Sequence, residues 1–331
     1  MPLAYLTSGR SFESPDDVSL LNAAAMAGLS FPYSCKTGRC STCRWKVISG
    51  ETIELADEAG LTETERAQGW ILSCVRAARS NLVLEAEDLS GVVLPPSKIH
   101  PCRINSLEKL AGDVMQVVLR LPPGAGFDFI AGQYVDVIGP GGLRRSYSIA
   151  NAPRPDNRLE LHIRAVDHGA MSDYWFNHAA VNDLLRLHGP QGTFVLRDIA
   201  GRELIFLATG TGIAPVKSML ESLPCLLAEQ APKSVTVIWG GRQRSDLYLD
   251  LRAMVRHDVF IPVLSRETPS QGERGYVQDA LLRIKADLSN CTVYACGSAA
   301  MIQSAKATLT DAGLPGHHFH ADAFVCSSSL N

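Results

Sequence analysis

The chain has 331 residues, 46% of them hydrophobic and 20% charged, with a formal net charge of -3. That length exceeds a single domain of roughly 100 to 200 residues, and the composition is that of a folded chain able to bury its own cores. The charge balance speaks against a nucleic-acid partner, while an N-terminus without a cationic, apolar leader and an apolar run as short as residues 204–208 speak against secretion or membrane insertion, so a cytoplasmic protein is expected.

Residues 1 to about 90 alternate short apolar strands with Gly-rich and Cys-rich loops. The odd total of nine cysteines in a chain of this size suits metal ligation or free thiols better than disulfides. Cys35-Lys36-Thr37-Gly38-Arg39-Cys40-Ser41-Thr42-Cys43 is a C-x4-C-x2-C pattern, and Cys74 follows after 30 intervening residues. A [2Fe-2S] centre needs four thiolates on two irons, three of which a short loop can wrap while a distant segment supplies the fourth. Gly38 allows the tight turn and turns backbone N–H groups toward the sulfurs. Zinc sites use paired C-x2-C knuckles, and no second knuckle stands near Cys74. Residues 35–45 together with Ile71-Leu72-Ser73-Cys74 resemble plant-type ferredoxins. The resemblance implies an α+β (β-grasp) domain over residues 1–94 with Cys35, Cys40, Cys43 and Cys74 as the metal ligands. Lys36, Arg39 and Arg44 form a basic surround, read either as a solvated loop or as a docking surface for an acidic electron acceptor.

Pro95-Pro96-Ser97 reads as a linker. Beyond it, residues 114–120, 134–138, 159–164 and 185–187 are short apolar runs separated by Pro122-Pro123-Gly124 and Gly139-Pro140-Gly141-Gly142, a texture that predicts an antiparallel β-barrel over residues 98–199. Arg145-Ser146-Tyr147-Ser148 supplies a cation, a flat ring and hydroxyls on one strand, with Arg145 and Tyr147 on the same face. Alone this is equally an amphipathic edge strand. Gly169-Ala170-Met171-Ser172 then begins a helix that Ser172 is expected to cap, offering an N-terminus to a phosphate. The two segments together resemble the FAD domain of the ferredoxin-NADP reductase superfamily. By that resemblance Arg145 and Ser172 hold the pyrophosphate, with Ser146, Gly169 and Met171 beside them. Tyr147 stacks on the flavin and Ser148 approaches N5, while His162, Ile163 and Arg164 contribute mainly through backbone; no proton transfer is assigned to His162.

From residue 200 to 331, apolar strands at 204–208, 235–239, 260–264 and 292–295 alternate with helices at 215–223 and 299–312, which predicts a doubly wound α/β domain. Gly210-Thr211-Gly212-Ile213-Ala214-Pro215 follows a strand as a phosphate-cradling turn does, but Pro215 departs from the G-x-G-x-x-G fingerprint of standard dehydrogenases. It resembles the NAD(P) loop of the same superfamily. There Cys296-Gly297, at the end of the final core strand, borders the nicotinamide. Arg242 lies near the adenine ribose, and without an evident basic cluster NADH is favoured over NADPH.

The order of these parts implies electron flow from NADH to FAD to [2Fe-2S] to a one-electron acceptor, with cofactors rather than side chains carrying the chemistry. Residues 112–115, 145–151, 210–219, 294–298 and 318–324 together resemble the CDP-6-deoxy-glucoseen reductase family, which implies a pyridoxamine phosphate-dependent sugar dehydrase as partner. A reductase component of a bacterial ring-hydroxylating dioxygenase or multicomponent monooxygenase, serving an oxygenase, shares the same order. A non-enzymatic iron-sulfur redox sensor is the reading from another class. Cys102, Cys225, Cys291 and Cys326 fit no metal spacing and are expected to pack as apolar groups, with Cys326 as an exposed thiol. Phe324 is read as a core residue or as a flavin neighbour.

Overall fold

The computed structural model describes residues 1–89, 91–254, 259–268 and 271–324, so Cys326 lies outside the described residues. The chain divides into two compact units, one of residues 1–94 joined by Gly192–Phe194, the other of Pro95–Gln191 with Val195–Phe324.

In the first unit the strands are β1 (Leu3–Leu6), β2 (Ser11–Glu13), β3 (Arg44–Ser49), β4 (Thr52–Glu54), β5 (Trp70–Leu72), β6 (Arg76–Ala78) and β7 (Leu82–Glu85), with helices α1 (Leu20–Met26) and α2 (Glu63–Ala67). Five strands form one sheet in the order β2-β1-β7-β3-β5, and β4 pairs with β6. Alternation sends Ala4 and Leu6 inward, and Ser19 caps α1 by accepting from Asn22 N, so that Leu20, Leu21, Ala23 and Ala24 meet the sheet. Trp45 and Phe31, ring centroids 4.6 Å apart, fill the core behind the cysteine loop.

The second unit begins with β8 (Lys98–Ala111), β9 (Val114–Arg120), β10 (Tyr134–Ile138), β11 (Arg144–Ser148), β12 (Arg158–Arg164), the short helix α3 (Ala170–Asp173) and β13 (Leu184–Gln191). These strands form an antiparallel sheet in the order β11-β10-β13-β8-β9-β12, and a bridge from Ile149 to Leu161 joins its two edges. The interior is apolar and includes Val117, Leu119, Val135, Leu161, Ile163 and Trp175.

The same unit continues through β14 (Glu203–Thr209), α4 (Ile213–Ser222), β15 (Ser234–Gly241), β16 (Val259–Leu264), β17 (Glu273–Arg274), α5 (Val277–Ile284), β18 (Cys291–Ser298), α6 (Ala299–Asp311) and β19 (Phe319–Phe324). All neighbours in the order β17-β16-β15-β14-β18-β19 are parallel. The strand bearing Cys296 is therefore not the last of the sheet, because β19 pairs beyond it, Cys296 opposite Asp322. The chain order reverses between β14 and β18, the place where open α/β sheets bind ligands beyond their strand ends. Helix α4 starts at Ile213, two residues before Pro215; proline is tolerated in a first turn, where its missing N–H has no intrahelical acceptor. Among the described residues no helix is long and apolar enough to cross a membrane.

Candidate functional site

The cysteine loop is held by its backbone. Gly38 has φ +75°, and a Cβ there would lie 2.2 Å from the carbonyl oxygen of Asp57, so both conformation and space require glycine. Thr37 N donates to Cys35 Sγ at 3.4 Å and Cys35 N to Cys40 Sγ at 3.5 Å, the inward N–H pattern a sulfur-rich anion needs. Cys74 is brought to the loop by Ser73, whose N and Oγ both donate to Cys43 O at 3.0 Å. The thiols meet as two hydrogen-bonded pairs, Cys35 with Cys40 and Cys43 with Cys74. Hydrogen bonding to Cys40 lowers the Cys35 thiol to about 5 and hydrogen bonding to Cys43 lowers Cys74, while the same contacts raise Cys40 and Cys43 well above the usual value. Two pairs suit the two irons of a [2Fe-2S] centre.

Behind the loop lies a carboxylate that sequence reasoning passed over. Glu58 is buried, and its Oε1 accepts from Leu72 N while Arg76 Nε and Nη2 donate to Oε2 at 3.0 and 2.7 Å. Two residues on, Gly60 N donates to Gly38 O and Ser41 donates to Gly60 O. Residues 58–60 thus brace the Cys74 segment against the loop. Lys36 Nζ lies 4.2 Å over the Tyr33 ring. Arg44 is not part of an outward basic surround, since it pairs with Glu65 at 3.0 Å and stacks on Trp70.

On β11 the side chains divide as the alternation predicts. Arg145 and Tyr147 share a face; Tyr147 OH accepts from Trp175 Nε1 at 3.0 Å, and burial pushes the phenol to about 12. Arg145 Nη1 donates to Arg144 O. Ser146 Oγ donates to the buried Asp136 at 2.6 Å, and Ser148 is buried at the strand end. Ser172 does not cap α3. Gly169 is the N-cap residue, and Ser172, third inside the helix, instead accepts from Val166 N at 2.9 Å, because a capping side chain must precede the first turn. Met171 and Ile163 are buried with the apolar core.

The two nucleotide motifs, 84 residues apart between Gly212 and Cys296 in the chain, touch. A Cβ at Gly212 would lie 2.2 Å from Cys296 O, and one at Gly297 2.1 Å from Thr209 Oγ1. Trp239 Nε1 donates to Gly210 O at 3.0 Å. Arg164 Nη1 would stand 2.9 Å from a Cβ at Gly210, and the Nη2 of this arginine is buried without a hydrogen-bond partner. A glycine-lined turn with a spare guanidinium donor fits an anionic dinucleotide. Cys296 is fully buried, and burial raises its thiol well above the usual value. Arg242 is exposed, and its N–H donates to Asp246, which together with Gln243 closes the following turn. His162 is buried between Glu160 Oε1, 2.8 Å from Nε2, and Tyr248 OH, 3.2 Å from Nδ1. Cys102 and Cys291 are buried as expected, whereas Cys225 is exposed. Phe324 is half-exposed at the end of β19.

Residues 5–79 match the 2Fe-2S iron-sulfur cluster binding domain, 101–196 the oxidoreductase FAD-binding domain and 206–307 the oxidoreductase NAD-binding domain. The chain is 39% identical over 325 residues to CDP-6-deoxy-L-threo-D-glycero-4-hexulose-3-dehydrase reductase of Yersinia pestis, covering 97% of each. It is 32% identical to reductase component 1 of terephthalate 1,2-dioxygenase from Comamonas sp, covering 93% of each. Its fold is similar to that of the Amycolatopsis cytochrome P450 reductase GcoB, with a TM-score of 0.77 and 29% identity over 99% of this chain and 100% of that one.

Proposed function

Because the chain belongs to the reductase family that joins a 2Fe-2S domain to oxidoreductase FAD-binding and NAD-binding domains, a family that includes CDP-6-deoxy-L-threo-D-glycero-4-hexulose-3-dehydrase reductase, we propose that it supplies single electrons to a sugar dehydrase of CDP-6-deoxyhexose 3-deoxygenation. It is an NAD(P)H-dependent oxidoreductase in which electrons pass from NADH through FAD to a [2Fe-2S] centre. FAD, when bound, accepts two electrons as hydride and releases them singly. The observation that carries the choice of a dehydrase, one dependent on pyridoxamine phosphate, is identity sustained over 97% of both chains. An oxygenase component is the second reading, favoured by the 32% identity to the dioxygenase reductase.

In this reading Cys35, Cys40, Cys43 and Cys74 hold the cluster as two pairs. Arg145 and the backbone of Gly169, Met171 and Ser172 bind the FAD pyrophosphate; Tyr147, oriented by Trp175, covers the flavin ring, and Ser148 meets its edge. The backbone of β12 at His162, Ile163 and Arg164 lines the flavin. Gly210, Thr211, Gly212 and the first turn at Pro215 receive the dinucleotide, with Cys296 and Gly297 beside its nicotinamide and Arg242 toward its ribose. Ser146 serves by holding Asp136. Functional segments fall at residues 1–94, 98–199 and 200–331. A cytoplasmic site suits the eight described cysteines, all unpaired.

Anaerobic titration with NADH, followed by electron paramagnetic resonance and by reduction of a purified dehydrase or oxygenase component, tests the route and the partner together. A rhombic [2Fe-2S] signal that decays on adding the dehydrase is expected; decay only with the oxygenase component would reassign the partner. Turnover with the two donors should favour NADH in kcat/KM.

A further inference from the structure

We propose that Glu160 and His162 on β12 are positioning residues that hold the loop Gly210–Gly212 against the flavin strand through two arms, one by way of Lys217 and the other by way of Tyr248 and Trp239. The inference rests on the reading that this loop takes NAD(P)H and that β12 lines FAD.

The first arm is ionic. Lys217 lies one turn into α4, the helix that leaves the loop, and its Nζ donates to Glu160 Oε2 at 3.1 Å, to Ala150 O at 3.1 Å and to Glu221 Oε1 at 2.7 Å. All three of its donors therefore have acceptors. Glu221 is itself tied to the segment after β11, accepting from Ala152 N at 3.0 Å and from Arg154, and Ser218 Oγ donates to Asn151 O at 2.7 Å. One face of α4 is thus seated on the strand ends that carry the flavin motif, and the loop at its N-terminus cannot shift without breaking this seam.

The second arm runs through rings. His162 Nε2 faces Glu160 Oε1, a carboxylate oxygen that only accepts, so the imidazole proton sits on Nε2 and Nδ1 accepts from Tyr248 OH. Tyr248 packs edge-on against Trp239 with centroids 5.2 Å apart, and Trp239 Nε1 donates to Gly210 O. Glu160 joins the arms, since its Oε1 also accepts from Gln116 Nε2 at 2.9 Å while Oε2 takes Lys217. A buried network satisfied at each of these groups is stiff, and hydride transfer depends on donor and acceptor being held within a fraction of an ångström.

The test uses the full chain loaded with FAD and cluster. Tyr248→Phe removes only the hydroxyl and keeps the contact with Trp239; Lys217→Met removes the ionic arm, and Lys217→Arg restores a cation. Expected for Tyr248→Phe is an about tenfold slower flavin reduction at saturating NADH, the equivalent of one lost hydrogen bond, and for Lys217→Met, which loses three, a slowing at least as large. A larger primary isotope effect with NADH deuterated at the transferring carbon should accompany it, with FAD content unchanged, the melting temperature of Tyr248→Phe near that of the unaltered chain, and partial recovery in Lys217→Arg. Unchanged rate and isotope effect in Tyr248→Phe and Lys217→Met would overturn the proposal, as would a slowing that follows loss of bound FAD in each. Failure of NADH to reduce the flavin of the unaltered chain would instead remove the reading of the loop itself.

Discussion

His320 sits buried on β19 beside Arg197, whose Nη2 is 3.0 Å from its Nδ1, and burial together with that cation lowers the imidazole to about 3. The folded chain keeps it neutral, while the unfolded chain takes up a proton near the usual 6.5. Its contribution is therefore complete above about pH 6.5 and declines as pH falls toward 3, by at most about 1.4 kcal/mol per pH unit. Thermal unfolding between pH 7.5 and 5 should show a steeper acid loss for the natural chain than for His320→Gln; parallel slopes would refute this. Trp175 is the second residue with a visible consequence. Its indole N–H orients the Tyr147 hydroxyl, so Trp175→Phe should weaken FAD retention several-fold, by about 1 kcal/mol, as measured by flavin fluorescence on dilution. Retention equal to that of the natural chain would separate the tryptophan from the flavin site. Neither role was legible beforehand, because a histidine or tryptophan in an apolar run carries no mark of what will fold against it.

At the scale of elements, the ligand-bearing segments are kept together by the strut of residues 58–60. Removing the charge of one partner in a buried ion pair is destabilising because the other loses its compensation. Glu58→Gln leaves the Arg76 guanidinium only its exposed partner Glu54, so the cluster absorbance should decay several-fold faster under chelation, and Glu58→Gln with Arg76→Met should recover much of that loss. An unaltered decay in the single variant would mean that the backbone bonds of Ser73 suffice. The predicted strands at 114–120 and 134–138 coincide with β9 and β10, and the helix at 299–312 with α6, since period-2 and period-3.6 patterns report directly on which face is buried. Boundaries shifted where local chemistry competes. Strand β8, absent from the predicted runs, begins at Lys98 after Pro95-Pro96-Ser97, and α3 lasts one turn before the chain widens into a π-helical stretch at Tyr174–His178.

For the whole molecule, the reading of the cysteine loop as a docking surface for the acceptor makes a prediction of its own. With Arg44 engaged by Glu65 and Trp70, the outward cations of the loop reduce to Lys36 and Arg39. Reversing both to glutamate should slow electron delivery to an acidic partner severalfold at low salt, with the difference shrinking toward 0.5 M salt as the Debye length falls to a few ångströms. Stopped-flow oxidation of the reduced chain by the dehydrase measures this, and a rate indifferent to both charge and salt would place docking elsewhere.

The residues by themselves pointed to the three cofactor classes, since C-x4-C-x2-C and G-T-G-I-A-P after a buried strand are short-range patterns set by the geometry of one ligand, and R-x-Y-S with Gly-x-x-Ser carries a family resemblance. What only the tertiary structure decided is how groups remote in sequence close on one another. It paired Cys43 with Cys74, brought Gly212 against Cys296, moved the cap of α3 from Ser172 to Gly169, and set Glu160 and His162 between Lys217 and Tyr248. Such contacts depend on strand order and helix seating, which the long-range packing of the chain selects and no local pattern of residues encodes.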